Sequence, residues 1–395
     1  MNWGILKRLR ILDFTWVLAG PYATRILGDF GAEVIKIQSK KTAKGAESNH
    51  TGYFNHWNRN KRSITLEMSH PEAKDIVFKL VKISDVVIEN FSPRVMPNWG
   101  LDYERLKEVR PNLIMVSMSG MGQTGPWKDF VAYGPTLQAL SGLTYLTSFT
   151  KESPIGIGYA YADPIAGLYA AFSVLAALEY RDRTGKGQYI DLSEYEAICS
   201  LMGPTLLDVS INQKNIFPQG NRPVEIPAAP YGCYQCSSLD RWCVIAVFND
   251  AEWENLCSVL GHPEWGKDER FSNLSKRKEN EEELNKLIEQ WTLQFSPEEV
   301  VNLLQQRGIP AGVVQNAEDI AKDPHLVARD FFIQLENPIL EKTFSDTSPI
   351  KFKENLRSEW KAAPLLGEDN RYVYMELLGF TEEELSSYIE RGIIG

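Results

Sequence analysis

Apolar residues in the first third of the chain come in short runs that are separated by amphipathic segments. Residues 86–88 and 114–116 are apolar at every position, which is typical of strands that are covered on both faces. Strands that alternate with single helices indicate βαβ units in a parallel sheet. The pattern predicts strands at residues 10–14, 33–38, 63–68, 85–91 and 112–119, and helices at residues 21–30, 69–83 and 102–109.

The pattern becomes mostly helical between residues 131 and 211, with one strand predicted at 188–192. Residues 212–232 are rich in Pro, Gly and Asn and are predicted to form a linker. A smaller α+β unit is predicted over residues 233–325, and residues 326–395 add a strand and a last helix near 381–390. We therefore expect an α/β fold, with a parallel-sheet large domain that contains residues 1–211 and a smaller α+β domain.

Composition narrows the class of protein. A chain of 395 residues is too long for one small core and predicts two domains, and its 43% apolar and 24% charged residues are typical of a soluble globular protein. The net charge of −10 argues against a nucleic-acid partner. Five cysteines without a signal-peptide pattern predict a cytoplasmic protein with free thiols. The longest apolar run, residues 168–178, is too short to span a membrane.

One acid precedes the longest apolar helix pattern of the chain. Asp163 is followed by Pro164 and by a run that ends at Gly185. As ordinary helix signals, these residues are an N-cap, a proline at the first helical position and a C-terminal glycine. As chemistry, a carboxylate at a helix start stays ionised among unpaired backbone N–H groups and can act as a nucleophile. The segment alone leaves both interpretations open.

Two other motifs favour structural interpretations. Residues 120–125 read Gly-Met-Gly-Gln-Thr-Gly and match the dinucleotide fingerprint, but no helix follows directly and no acid lies about twenty residues further on to bind a ribose. A glycine-rich turn is therefore favoured over an NAD site. Cys233 and Cys236 have the spacing of metal ligands but lack a second pair, so no metal site is expected.

Basic and amide side chains gather near the predicted strand ends. Residues 58–62 are rich in Asn, Arg and Lys, and Asn90, Phe91 and Arg94 follow the strand predicted at 85–91. Ligands of parallel sheets bind at the edge where the strands end. These segments are either solvated loops or a binding site for a ligand that carries phosphate and purine groups.

The chain as a whole resembles the class III CoA-transferase family, which includes the formyl-CoA and carnitine CoA-transferases. The resemblance implies a Rossmann-like large domain, built from the N-terminal half and residues 326–395, with a smaller inserted domain. It also implies an interlocked homodimer. The matching stretches run in the family's order from end to end, at residues 17–23, 31–36, 58–68, 87–91, 119–126, 139–142, 162–187, 308–312 and 364–368.

The resemblance assigns roles to individual residues, with Asp163 as the nucleophile. Basic residues that hold CoA phosphates in some members are replaced here by Ser39, Ser69 and Asn98, so Arg94, Lys40 or Lys61 is the hypothetical substitute. Tyr133 stands where the racemase branch has a histidine, which argues against a racemase that needs a base on each side of an α-carbon. The implied CoA contacts are Val17, Leu18, Ala19, Leu66, Met68, Asn90 and Phe91, and Tyr133 is also assigned to the CoA site.

The expected reaction is the transfer of CoA from an acyl-CoA donor to a carboxylic acid through an aspartyl acyl anhydride on Asp163. Backbone N–H groups of residues 120–125 are candidates for stabilising the oxyanion. Coenzyme A thioesters are substrates, and no tightly bound cofactor or metal is expected. Residues 93–96 and 130–135 resemble the branch that uses succinyl-CoA. The alternatives are an acyl-CoA racemase or isomerase of the same fold and a non-catalytic CoA-binding protein.

Overall fold

A computed structural model describes residues 4–221, 226–353 and 359–395. These residues form two compact units. The larger unit takes its described residues from Met1–Thr144, Gly156–Ile216 and Val327–Gly395, and the smaller from Tyr145–Ile155 and Phe217–Leu326.

The domain boundaries inferred from the sequence, at residues 211, 232 and 325, stay a prediction. Residues 145–155 were expected in the large domain, but they cluster with the smaller unit. Residues 222–225 of the predicted linker lie outside the described residues.

A six-stranded parallel sheet forms the centre of the larger unit. Its strand order is β3-β2-β1-β4-β5-β6, which is the order of a doubly wound Rossmann-like sheet. The fold class predicted from the sequence is therefore confirmed. Every neighbouring pair is parallel. The strands are β1 (Arg10–Asp13), β2 (Glu33–Gln38), β3 (Lys61–Thr65), β4 (Val86–Glu89), β5 (Ile114–Ser119) and β6 (Gln188–Ser193).

Helices cover both faces of this sheet and build the smaller unit. The helices are α1 (Ala19–Asp29), α2 (Gly52–Asn58), α3 (Ala73–Lys82), α4 (Val95–Trp99), α5 (Tyr103–Val109), α6 (Gly134–Leu140), α7 (Leu143–Leu146), α8 (Ala162–Thr184), α9 (Glu194–Cys199), α10 (Gly203–Ser210), α11 (Asp250–Val259), α12 (Leu274–Glu279), α13 (Glu281–Thr292), α14 (Pro297–Gln305), α15 (Ala317–Lys322), α16 (Pro324–Ala328) and α17 (Glu382–Glu390).

Strands β1, β4 and β5 contain consecutive apolar residues because successive positions enter two different cores. Ile11 packs in a core with α1 and α8, whereas its neighbour Leu12 packs in a core with α3 and the C-terminal segment. Val373 and Ile393 of that segment are fully buried in the second core. Because successive side chains of a strand point to opposite faces, a sheet covered on both sides buries each of them.

The smaller unit has a three-stranded antiparallel sheet of its own, in the order β7-β8-β9. Its core is formed by side chains of the strands and of α11, α13 and α14, including Trp253, Ile288 and Leu304. A two-stranded antiparallel sheet belongs to the larger unit. The strands are β7 (Tyr231–Gln235), β8 (Trp242–Ala246), β9 (Ala311–Val313), β10 (Phe332–Asn337) and β11 (Glu341–Asp346).

Helix α8 is apolar over a greater length than the run at residues 168–178. Among the described residues it is one helix that is long and apolar enough to cross a membrane by length and composition alone. Buried core helices of soluble proteins can have the same length and apolar composition, so this is weak evidence for a membrane span. Ala166, Ala170 and Val174 of α8 are fully buried against the sheet.

Candidate active site

Asp163 lies in the first turn of α8, where Ala162 is the first helical residue and Tyr161 is the N-cap. The prediction that Asp163 is the N-cap is therefore wrong by two positions. Asp163 Oδ2 is buried and has no hydrogen-bond partner among the described residues. A carboxylate oxygen that has lost water without gaining a donor is costly and is a candidate for reactivity.

Burial raises the pKa of Asp163 but leaves the carboxyl group mostly ionised at neutral pH. The helix start was expected to keep the carboxylate ionised, and a backbone N–H does lower its pKa, but desolvation is the larger effect and raises the pKa of Asp163 to about 6. At pH 7 a carboxyl of this pKa is still about 90% ionised. The group is therefore an anion at neutral pH, and a more basic one than an exposed aspartate.

Glu194, Tyr53 and Tyr159 lie within electrostatic reach of Asp163. Burial, and secondarily the charge of Asp163, raises the pKa of Glu194 at the start of α9 to about 8. The same two causes, in the same order, raise the pKa of Tyr53 to about 12. Glu194 was missed in the sequence because only the packing of α9 against α8 places it near Asp163.

The loop after β1 approaches the first turns of α8. A Cβ added to Gly167 would lie 2.8 Å from the carbonyl oxygen of Ala19, so α1 and α8 make a close backbone approach there. Val17 has a φ of 65°, which is a strained conformation for a β-branched residue. Strain of this kind persists only where the surroundings hold it, and it is concentrated at functional sites.

Buried charges hold the strained loop. The Val17 N–H donates to Glu47 Oε1 at 2.7 Å, and Glu47 forms an ion pair of 3.1 Å with Lys36. Lys36 Nζ also donates to the Thr15 carbonyl oxygen at 2.6 Å. Lys36 of β2 and Glu47 of the segment before α2 thus hold the main chain of the loop that contains Val17.

Asn90 and Phe91, at the end of β4, contact the same loop. Asn90 Oδ1 accepts from the Trp16 N–H at 2.9 Å, and Asn90 Nδ2 donates to the Trp16 carbonyl oxygen at 3.0 Å. The Phe91 and Trp16 rings lie 6.0 Å apart. The structure therefore brings together the loop after β1 and the pair after β4, although the Asn90 amide is occupied by the main chain of Trp16.

The other predicted CoA contacts differ in how far they are exposed. Arg94 is exposed and precedes α4, and Tyr133 is 63% exposed and precedes α6. Leu66 and Met68 follow the end of β3, where the Leu66 side chain is buried in the core and Met68 packs against it. Because β1, β3 and β4 are parallel, their following segments share one edge of the sheet.

Lys61 does not fit the role of a phosphate ligand. Its side chain has no exposed surface and forms an ion pair with Asp13 at 3.1 Å. Lys61 Nζ also donates to Asn58 Oδ1 at 2.8 Å and to the Pro21 carbonyl oxygen at 3.1 Å. Lys61 is the first residue of β3, at the amino end of the strand, whereas ligands of parallel sheets bind at the carboxyl end.

Residues 120–125 form a turn rather than a dinucleotide site. Gly122 and Gly125 have φ values of 83° and 84°, which residues other than glycine rarely adopt. The next helix, α6, begins only at Gly134. The turn follows β5 at the same edge as the loops described above. In the described parts of the chain, no group of three or more His, Cys, Asp or Glu side chains is arranged to hold a metal.

Residues 6–370 match the model of CoA-transferase family III, and the chain belongs to that family. The chain is therefore a CoA-transferase, built on the parallel sheet described above. The family membership predicted from the sequence is confirmed.

The chain is similar over nearly its full length to proteins that are named as CoA-transferases. It is 32% identical over 397 residues to succinyl-CoA–D-citramalate CoA-transferase of Chloroflexus aurantiacus, with 98% of both chains covered. It is 34% identical over 385 residues to succinyl-CoA:mesaconate CoA-transferase of Haloarcula hispanica, covering 92% of this chain and 94% of the relative. The crystal structure of a CAIB/BAIF family protein from Brucella suis matches with a TM-score of 0.86 and 32% identity, covering 95% of this chain and 100% of that chain.

Proposed function

We propose that this enzyme transfers CoA from an acyl-CoA donor to a carboxylic acid through an anhydride on Asp163. The observation that carries the proposal is the buried, unpartnered Oδ2 of Asp163 at the start of α8. A carboxylate that is desolvated but still ionised at neutral pH is a stronger nucleophile than an exposed one. Burial also protects an anhydride, which water would otherwise hydrolyse.

The reaction needs no group beyond Asp163 and the two substrates. A carboxylate oxygen of Asp163 attacks the thioester carbon, the C–S bond breaks, and CoA leaves as a thiolate. The thiolate then attacks the aspartyl carbonyl carbon of the anhydride, which releases the donor acid and leaves an aspartyl-CoA thioester. The acceptor carboxylate attacks that thioester, and the released thiolate takes the acceptor acyl group from the second anhydride. Asp163 ends as a free carboxylate.

The CoA thioester is proposed to bind at the carboxyl edge of the sheet. Val17, Leu18 and Ala19 offer the strained main chain of the β1 loop, and Phe91 offers an apolar face next to it. Arg94 is exposed at the same edge, after β4, and supplies a guanidinium for phosphate groups. Of the candidate basic residues, this assignment keeps Arg94 and leaves out Lys61.

We propose succinyl-CoA as the donor and a dicarboxylic acid as the acceptor. The names of both relatives described above include succinyl-CoA, with D-citramalate or mesaconate as the acceptor. A matrix of acyl-CoA donors and free acids, analysed by mass spectrometry for new CoA thioesters, tests the choice of substrates. The proposal for the donor fails if succinyl-CoA is not consumed with any acid while another donor is.

We also propose a cytoplasmic homodimer. Leu168, Phe172 and Leu175 repeat at intervals of one helical turn on α8, and Phe172 is 70% exposed. An exposed apolar stripe of this kind is typical of a surface that a partner covers. A second copy of the chain is the partner that the family resemblance implies, and sedimentation measurements of the full chain test its presence.

Substitution of Asp163 separates transfer from the alternatives. Asp163→Ala is expected to abolish CoA transfer while CoA binding, measured by calorimetry, is retained. A racemase would instead exchange the α-hydrogen of its acyl-CoA with deuterated water in the absence of any acceptor acid. A CoA-binding protein without activity would bind CoA equally well in both forms and would transfer nothing. Normal turnover by Asp163→Ala would refute the proposed mechanism.

A further inference from the structure

Gly134, the first residue of α6, lies against the carboxylate of Asp163. A Cβ built on Gly134 would be 2.3 Å from Asp163 Oδ2 and 2.8 Å from the Cβ of Ala160. Real Cβ atoms essentially never approach other heavy atoms closer than 3.0 Å. Position 134 is therefore compatible with the observed carboxylate position only if it has no side chain.

The backbone conformation does not explain this glycine. Gly134 is absent from the glycines with positive φ among the described residues, so its conformation is open to other amino acids. The remaining reason for a glycine at position 134 is the lack of room for a side chain beside Asp163 Oδ2 and Ala160.

We propose that Gly134 is a positioning residue for the nucleophile, an inference that rests on the proposed function of Asp163. The bare Cα of Gly134 lets the Asp163 carboxylate occupy its present rotamer, with Oδ2 buried and unpartnered. A methyl group at this position would displace Oδ2 by about 1 Å to restore an ordinary contact. A displacement of about 1 Å between reacting groups costs on the order of a hundredfold in rate.

The chain contains a matched control for this substitution. Gly203 is the first residue of α10, and both helices begin with the sequence Gly-Pro-Thr-Leu. A Cβ added to Gly203 would meet nothing within 4 Å. Gly203→Ala therefore makes the same chemical change at the same helical position without the crowding.

The first experiment compares the kinetics of Gly134→Ala and Gly203→Ala in the full chain, with succinyl-CoA and a dicarboxylic acid. Gly134→Ala is expected to lower kcat by about 10- to 100-fold while the KM for acyl-CoA changes little, because the nucleophile and not the CoA site is displaced. Gly203→Ala is expected to keep both parameters. A wild-type kcat for Gly134→Ala, or a change confined to KM, would overturn the inference.

A second variant separates the two contacts of position 134. Ala160→Gly removes the 2.8 Å contact and leaves the 2.3 Å contact with Asp163 Oδ2. Gly134→Ala combined with Ala160→Gly is therefore expected to fold at least as well as the single variant and to keep the low kcat. Recovery of kcat in the double variant would show that Ala160, and not Asp163, is the crowded group, and the inference would be wrong.

Thermal unfolding supplies a readout that is independent of turnover. Gly134→Ala is expected to lower the Tm in the wild-type chain and to lower it less in the Asp163→Ala background, where the closer contact is missing. Equal losses in both backgrounds would contradict the inference. If Asp163→Ala keeps its transferase activity, the proposed function fails; if it is inactive but Gly134→Ala is fully active, only the role of Gly134 fails.

Discussion

Asp163→Asn is expected to make the protein more stable while abolishing its activity. Burial raises the pKa of Asp163 from 3.8 to about 6, so the folded state holds a proton on this carboxyl more tightly than the unfolded state does. Ionisation therefore favours unfolding: the penalty is absent well below pH 3.8, grows as the pH rises, and is complete above about pH 6. Asparagine has a similar shape but carries no charge, and it escapes this penalty.

The size of the effect follows from the two pKa values. At about 1.4 kcal/mol for each tenfold change in proton affinity, the ionised carboxylate costs about 3 kcal/mol above pH 6 and less than about 1 kcal/mol at pH 4. Thermal unfolding of both proteins between pH 4 and pH 8 measures the difference, and at roughly 2 °C per kcal/mol a gain of about 6 °C is expected at pH 7.5.

The control for this prediction lies on the same helix. Asp182 is exposed near the end of α8, and Asp182→Asn is expected to change stability by no more than about 0.5 kcal/mol at any pH. The reasoning would be refuted if Asp163→Asn gave no gain at pH 7.5, or if its gain were as large at pH 4 as at pH 7.5.

Three further outcomes follow from the same structure. Because only the ionised form of Asp163 attacks, kcat/KM is expected to fall about tenfold per pH unit below about pH 6, and a flat profile down to pH 5 would contradict this. Lys61→Met is expected to destabilise the protein by about 3–5 kcal/mol, since it removes the ion-pair partner of the buried Asp13, while CoA affinity of the folded protein is unchanged in titration calorimetry. Phe172→Glu is expected to convert the proposed dimer into monomers in sedimentation measurements, whereas an unchanged mass would place the interface elsewhere.

The sheet could be predicted because its strands are buried on both faces. Residues 86–88 of β4 and 114–116 of β5 are apolar at every position, a pattern that is typical of strands covered by helices on both sides. Helix starts were less predictable: the helix expected from Ser69 begins at Ala73 with Glu72 as its N-cap. Capping signals in a sequence compete with one another, and tertiary packing decides which of them is used.

The position of the candidate nucleophile could be predicted, but its environment could not. Asp163 is marked in the sequence by the apolar helix that follows it. The burial that raises its pKa comes from tertiary packing. Gly134 and Glu194 lie near Asp163 but are the first residues of two other helices, and no sequence motif marks them as part of the site. Lys61 was considered as a phosphate ligand because it is a basic residue next to a predicted strand. In the structure it lies at the amino end of β3, where its side chain is buried in an ion pair with Asp13.

Chemical trapping of the enzyme during turnover tests the central claim most directly. The full chain is mixed with succinyl-CoA, quenched with hydroxylamine and digested, and its peptides are mapped by mass spectrometry. Hydroxylamine converts an aspartyl anhydride or thioester into a hydroxamate, so the account predicts this modification on Asp163 and on no other residue, and only when acyl-CoA is present. Turnover with Asp163 unmodified, or a hydroxamate at another carboxyl group, would contradict it.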